Sequence, residues 1–317
     1  MDLTKYFTNN RELAGQLYSV SSPVYGQNFI LKELTLDFLK KYSLQFKEGN
    51  KYTCQQMDTI AEKQRQDGGG LFIDLDMLTR YDISNHNVLF TKEKLDELIS
   101  ILVEIIYRHI TPTKKKRLNE FNKLLEKFYY DQEKLPESED YVADDFIFAD
   151  YRDDINEKEP GIYKEGIHIL IPTFDITKDA RKGILSFIKK EAGDNTSKLY
   201  AFFDSIYKNA DKLAIKKRDK QKKVYTSFEN YIDVNSAFVP VFLYGSNRIG
   251  AKYTYKMRYK YLVVSHKDAD TVKQKVVELK MKNPEDFDLG LEMSLSQEGE
   301  FIKYNSFTFS KELTDHI

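Results

Sequence analysis

Three consecutive glycines, Gly68-Gly69-Gly70, run directly into Leu71-Phe72-Ile73-Asp74-Leu75-Asp76, and no other feature constrains the chain as much. A glycine run breaks a helix and lets the backbone turn sharply. The apolar hexapeptide behind it reads as a strand, with two acids in an otherwise apolar sequence. Residues two apart on a strand share a face, so Asp74 and Asp76 project together with Phe72 while Ile73 and Leu75 take the other side. Two carboxylates so placed repel, and burying them is costly unless a positive charge lies between them. A hard divalent cation, Mg²⁺ or Mn²⁺, meets that need and keeps positions for water and phosphate oxygens. Taken alone, Asp-x-Asp is common and is equally a pair of exposed acids at a strand end.

The remainder of the chain excludes several classes. With 41% hydrophobic residues in 317, it can build a large core without covalent staples. The single cysteine, Cys54, rules out an intramolecular disulfide and a multi-cysteine zinc site, and His86, His109, His168, His266 and His316 show no paired ligand spacing. A reducing, intracellular setting follows. Met1–Tyr6 has no basic region leading into an apolar one, and no apolar stretch is long enough to cross a bilayer, so a soluble protein is expected with no membrane partner. A net charge of −1 excludes a uniformly basic coat, yet the charges are segregated and leave room for a local phosphate-binding face.

Helical spacing of apolar residues predicts helices over Phe29–Tyr42, Gln55–Gln64, Thr91–Ile110 (stopped by Pro112), Lys114–Tyr130, Thr177–Ala192 with Thr177 as N-cap, Thr196–Asn209 and Asp268–Lys282. Strands are expected at Leu71–Asp76, Gly166–Pro172, Phe238–Tyr244 and Tyr259–Ser265, with a β-rich or mixed segment over Asp286–Phe309. The acidic stretch Glu133–Glu159 reads as a surface insertion, its Asp144, Asp145, Asp150, Asp153 and Asp154 as solvated acids. Strands and helices alternate irregularly, which favours an α+β or mixed α/β fold over an all-parallel sheet.

Candidate chemistry gathers at four further places. Asp233 precedes an apolar strand and can supply a third carboxylate, or simply cap a turn. His168 lies between Ile167 and Ile169 on a predicted strand, sharing a face with Gly166 and Leu170; it reads as a satisfied core histidine or as a donor to a triphosphate. Ser246, Arg248, Lys252 and Lys256 put a turn, a guanidinium and two ammonium groups in one segment, candidates for phosphate contacts or ordinary surface basics. The basic runs Lys114–Arg117 and Lys216–Lys223, the latter holding Lys216, Lys217, Arg218, Lys222 and Lys223, are solvated faces or tracks for nucleic-acid phosphates.

In their order along the chain, these motifs resemble the archaeo-eukaryotic primase superfamily, above all the primase domains of the primase-helicases of large cytoplasmic DNA viruses such as African swine fever virus and poxviruses. Asp74-x-Asp76 is similar to the first motif, Gly166-Ile167-His168 to the second, and Asp233 ahead of Val239–Ser246 to the third; Phe287–Leu295 is similar to a segment that follows the core in the viral branch. The resemblance spans about Gly70–Ser296. The wider superfamily has a serine two residues before the histidine where this chain has Gly166.

The resemblance implies a primase-polymerase core with an RNA-recognition-like sheet module and a second α/β module, making primers on single-stranded DNA from nucleoside triphosphates at a two-metal site with Mg²⁺ or Mn²⁺. Asp74, Asp76 and Asp233 would hold the metals, His168, Arg248, Lys256 and Ser246 the incoming nucleotide, and the Lys216–Lys223 run the DNA. Residues 1–66 would be a helical flank, 67–266 the catalytic core and 267–317 a C-terminal extension. That extension would lead to a helicase outside this chain, which lacks a phosphate-loop motif. The viral likeness places the protein in host cytoplasm. Two other readings stay open: a metal-dependent nucleotide-sugar glycosyltransferase built on Asp-x-Asp, and a non-catalytic nucleic-acid-binding module.

Overall fold

The structure, a computed structural model, describes residues 20–22, 27–29, 60–80, 91–113, 141–152, 156–159, 162–206, 215–218, 221–224, 227–244, 246, 255–268, 271–280, 295 and 307–317. Strands β1 (Val20–Ser22), β2 (Gln27–Phe29) and β3 (Ala61–Glu62) come first, then β4 (Leu71–Arg80), helix α1 (Lys92–His109) and β5 (Ile110–Pro112). Next are β6 (Tyr141–Arg152), β7 (Asn156–Glu159), β8 (Ile162–Ile171), α2 (Lys178–Gly193) and α3 (Lys198–Ile206). The strands β9 (Ile215–Arg218), β10 (Gln221–Val224), β11 (Val241–Phe242), β12 (Tyr255–Asp268), β13 (Thr271–Glu278) and β14 (Phe307–Phe309) follow, and α4 (Lys311–Thr314) ends the chain.

Among the described residues the largest sheet runs β13-β12-β6-β8-β4, with β7 also paired to β8. All of its pairings are antiparallel. A smaller sheet has the order β11-β3-β1-β2. The fold is therefore α+β, as expected.

Period-two alternation gives the large sheet two unlike faces. Leu71, Ile73, Leu75 and Met77 of β4 are fully buried and join Ile147, Ala149, Ile167, Ile169, Tyr261 and Val263 from the neighbouring strands. The apolar stripes of the helices cover this face, among them Leu95, Leu98, Ile99 and Leu102 of α1, Ile184, Leu185 and Ile188 of α2, and Phe202 and Phe203 of α3. Each buried aliphatic or aromatic side chain contributes about 1.5–3 kcal/mol. The other face is only partly apolar: Phe72, Phe148 and Leu170 cluster there with Val241 and Leu295. Asp74, Asp76 and His168 lie on this second face.

The helices start where their capping residues dictate. Thr91 Oγ1 accepts from the Lys94 N–H at 3.4 Å and Thr177 Oγ1 from the Ala180 N–H at 3.3 Å. Tertiary pairing overrides local pattern elsewhere. Asp268–Lys282, expected as a helix, holds the end of β12 and then β13, whose Val272, Val276 and Val277 pair residue for residue with β12. Gln55–Gln64, also expected as a helix, contains β3, which is pinned between β1 and β11; residues 55–59 lie outside the described set. The strand expected over Phe238–Tyr244 is confined to Val241–Phe242, while Phe238 and Val239 are exposed on the turn before it. Phe29 ends a strand instead of opening a helix, and the rest of the predicted segment to Tyr42, like the predicted helix Lys114–Tyr130, lies outside the described residues.

The acidic stretch gives the largest correction. Tyr141–Arg152 is a long strand inside the sheet, and Asp145 and Asp150 are 1% and 6% exposed, not solvated. Asp145 points to the helix side, where the hydroxyls of Tyr107 and Thr173 donate to it, the latter at 2.6 Å. Asp150 points to the polar face. Asp153 and Asp154 lie outside the described residues.

Arg181 of α2 joins the parts together. Arg181 is 1% exposed, and among the described residues its guanidinium donates to carbonyls and not to a carboxylate: to those of Ala237, Gly68 and Ile176 at 3.0, 3.1 and 3.1 Å, and to that of Arg65. Burial, then the neighbouring Arg65 charge, pulls its pKa down to about 10, so it stays charged at neutral pH. The loop that it holds needs glycine. Gly69 has φ +121°, and a Cβ on Gly70 would lie 2.9 Å from both the Ile171 carbonyl oxygen and the Pro172 Cα. Arg181→Met, which keeps volume but strands these carbonyls, is expected to destabilise the protein by about 3 kcal/mol. Urea unfolding of the variant beside wild type checks this, and an unchanged midpoint would remove Arg181 from its central role.

Candidate active site

Register across the large sheet assembles the polar face. Asp74 of β4 lies opposite His168 of β8, Asp76 lies opposite Gly166, and His168 lies opposite Asp150 of β6 on its other side. Asp74, His168 and Asp150 thus form one row across three strands. Oδ1 of Asp150 is 3.2 Å from His168 Nδ1, and Oδ1 of Asp74 is 3.7 Å from His168 Nε2, beyond hydrogen-bond reach. Phe72 and the imidazole meet in a T-shaped contact at a ring-centroid distance of 5.0 Å. Lys164, two residues before Gly166 and on the same face, puts its ammonium against Asp76 Oδ1.

Asp233 reaches the same place from a loop laid along β4. Its backbone N–H donates to the Asp74 carbonyl at 3.3 Å, Ile232 bridges to Leu75, and the Ser236 hydroxyl donates to the Phe72 carbonyl at 3.1 Å. Gln64 Nε2 clamps the loop from behind through the carbonyls of Ser236 and Val239, at 2.6 and 2.9 Å. The Asp233 carboxylate itself accepts from the Asn235 N–H at 2.9 Å and caps the short 3-10 turn Val234–Ala237. It is exposed, and it adds to the negative field at Asp74.

That field shows in the titration of Asp74. Burial and then the Asp76 charge push its pKa up to about 6, with Asp233 adding to the rise and His168 and Lys164 opposing it. At His168 burial pulls the pKa down, but Asp150, through charge and hydrogen bond, and then Asp74 and Asp76, raise it overall.

A hard divalent cation fits Asp74 and Asp76. Oδ1 of Asp74 is buried and receives no hydrogen bond among the described residues, and positive charge beside both acids would relieve their repulsion. Among the described residues no three His, Cys, Asp or Glu side chains are gathered closely enough to hold a metal ion, and the Asp233 carboxylate would have to leave its cap to join the pair.

Other expected site residues stand as follows. Ser246 is buried, and its Oγ accepts from the Ile60 N–H at 3.2 Å, joining the chain after β11 to the start of β3. Lys256 is on β12, opposite Tyr151 and next to Met257, the partner of Asp150. Lys216, Lys217 and Arg218 form β9 with Ile215, and Lys222 and Lys223 lie in β10; these two strands make an antiparallel ribbon. Arg248, Lys252 and the Lys114–Arg117 run are outside the described residues. Asp150 and Lys164 were missed in the sequence. Lys164 was legible, since period two from His168 through Gly166 reaches it; Asp150 was hidden by the acids around it.

The family model for the C962R protein N-terminal AEP domain matches residues 20–261, a span that contains Asp74, Asp76, Asp150, Lys164, His168 and Asp233. The chain belongs to this family. It is thus an archaeo-eukaryotic primase (AEP) domain, a type whose business is nucleotidyl transfer on nucleic acid. No curated protein sequence matches the chain. Among the described residues of this AEP domain no helix is long and apolar enough to cross a membrane.

The raised pKa of Asp74 sets a testable balance. Since the folded value lies above the ordinary carboxylate value of 3.8, ionised Asp74 weakens the fold: the penalty is absent below that pH, grows as pH rises and is complete above about 6. Asp74→Asn is therefore expected to stabilise the AEP domain by about 2 kcal/mol near neutrality, with the gain fading toward about pH 4. Urea midpoints at the two pH values measure it, and a variant no more stable than wild type near neutrality contradicts the assignment.

Proposed function

We propose that this AEP domain is a DNA primase-polymerase: it makes, and extends, primers on a single-stranded DNA template from nucleoside triphosphates during viral DNA replication. The observation that carries the reading is one polar sheet face holding Asp74, Asp76 and His168, with the Asp233 loop hydrogen-bonded along its edge, in a chain of primase family. Asp74, Asp76 and, once turned from its cap, Asp233 would hold Mg²⁺ or Mn²⁺. When bound, such cations supply the charge that activates a 3′-hydroxyl and stabilises the leaving pyrophosphate. His168 orients the incoming triphosphate, Arg248, Lys256 and Ser246 belong to the same nucleotide-binding segment, and the partly apolar wall of Phe72, Phe148 and Leu170 limits water at the reacting end.

The ribbon β9–β10 carries Lys216, Lys217, Arg218, Lys222 and Lys223 and would track the DNA backbone. In the proposed division into 1–66, 67–266 and 267–317, packing of the first segment on the core is supported by the pairing of Ala61–Glu62 with Val241–Phe242, although its described elements are strands and not the expected helices. A helicase, fused or associated, is the partner that the viral resemblance suggests, and host cytoplasm the place of action.

The direct test is synthesis on single-stranded DNA with labelled nucleoside triphosphates and Mg²⁺ or Mn²⁺. Asp74→Ala with Asp76→Ala is expected to abolish template- and metal-dependent products, a loss of at least about a hundredfold, while the fold is retained. Equal synthesis by the variant would overturn the reading. No synthesis by either protein, with equal DNA binding, would leave a nucleic-acid-binding module, and template-independent turnover of a sugar nucleotide would point to a glycosyltransferase.

For the ribbon, replacing Lys216, Lys217, Lys222 and Lys223 by Ala is expected to lower DNA affinity and to flatten its dependence on log salt by roughly 0.7 per lost phosphate contact. An unchanged salt slope in a titration from low to moderate salt would exclude it from the DNA path.

A further inference from the structure

Two buried aspartates on β6 face opposite ways and meet different partners. On the helix side, Asp145 accepts from the hydroxyls of Tyr107 and Thr173. On the polar face, Asp150 is 6% exposed and lies against an imidazole instead. Burying a carboxylate is costly, and a position that does so beside the histidine of the candidate site calls for a reason.

We propose that Asp150 is a positioning residue for His168, fixing the ring so that Nε2 faces the reacting phosphates; this rests on His168 being a contact for the incoming nucleotide. The two residues are register partners on adjacent strands, so their backbones set the approach of the side chains. Nδ1 is the ring nitrogen on the Asp150 side, 3.2 Å from Oδ1 as an ion-pair contact. Phe72, edge-on at 73°, restrains the ring plane. With Nδ1 on the β6 side, Nε2 lies on the β4 side, 3.7 Å from Asp74 Oδ1, where the candidate carboxylates are. A histidine that must meet a phosphate oxygen with one particular nitrogen gains from such an anchor, because a free ring spends part of its time flipped or turned away.

The test is a double-mutant cycle in primer synthesis with the full chain, reading KM for the nucleotide, kcat and thermal midpoint for wild type, Asp150→Ala, His168→Ala and the double variant. Asp150→Ala and His168→Ala are each expected to raise KM roughly tenfold, and the double variant no more than His168→Ala alone. Asp150→Asn, which keeps the shape and an oxygen facing Nδ1, is expected to raise KM less. It also carries the cycle in place of Asp150→Ala if that variant unfolds.

An unchanged KM in the Asp150 variants when His168→Ala raises it, or effects that multiply in the double variant, would overturn the proposal. A His168→Ala protein with wild-type KM would instead remove the nucleotide contact on which the proposal rests.

Discussion

The arrangement of the polar face depends on a cation on the helix layer. Arg181 spends its donors on main-chain carbonyls from the segment before β4, from the start of its own helix and from the turn after Asp233. These are the two stretches that deliver Asp74 with Asp76 on one hand and Asp233 on the other. A buried guanidinium with no carboxylate hydrogen-bonded to it among the described residues is tolerable because carbonyl dipoles meet its N–H groups, and removing it would leave several acceptors unmet at once. The glycines beside it play the complementary part: they let main chain approach main chain where any side chain would collide.

Given that scaffold, the face is electrostatically strained and nearly balanced. Asp74, Asp76 and Asp150 bring negative charge into a partly dry surface, and Lys164 and His168 offset some of it without cancelling it. The pKa of Asp74, raised first by burial and then by the Asp76 charge, reflects both. A fold optimised for stability alone would not keep an acid there; a site that takes up cations and phosphates in succession uses such a balance, since each partner finds part of its counter-charge already in place.

How far the sequence reached follows from where local chemistry dominates. β4 and β8 were legible because alternation of acid or histidine with branched apolar residues has a single strand reading, and the faces assigned to Phe72, Asp74, Asp76 and His168 are those observed. Helices α1 and α2 were legible from threonine caps and apolar spacing. Asp268–Lys282 misled because its lysines and valines also fit helical spacing, and what makes it a strand is β12 lying beside it. Glu133–Glu159 misled in the opposite sense: a high density of acids suggests solvent, and only pairing with β8 and β12 shows that Asp145 and Asp150 are enclosed.

The sequence by itself determined the class of fold, the faces of the two motif strands and the residue types able to bind a cation and a phosphate, because these follow from period and side-chain chemistry. Tertiary structure alone decided that Asp150 stands beside His168, that Lys164 meets Asp76, and that the Asp233 loop lies along β4 while its carboxylate caps a turn. Those contacts join residues far apart in the chain. Their geometry is set by strand register and by the carbonyl network of Arg181, and no local window of residues contains either.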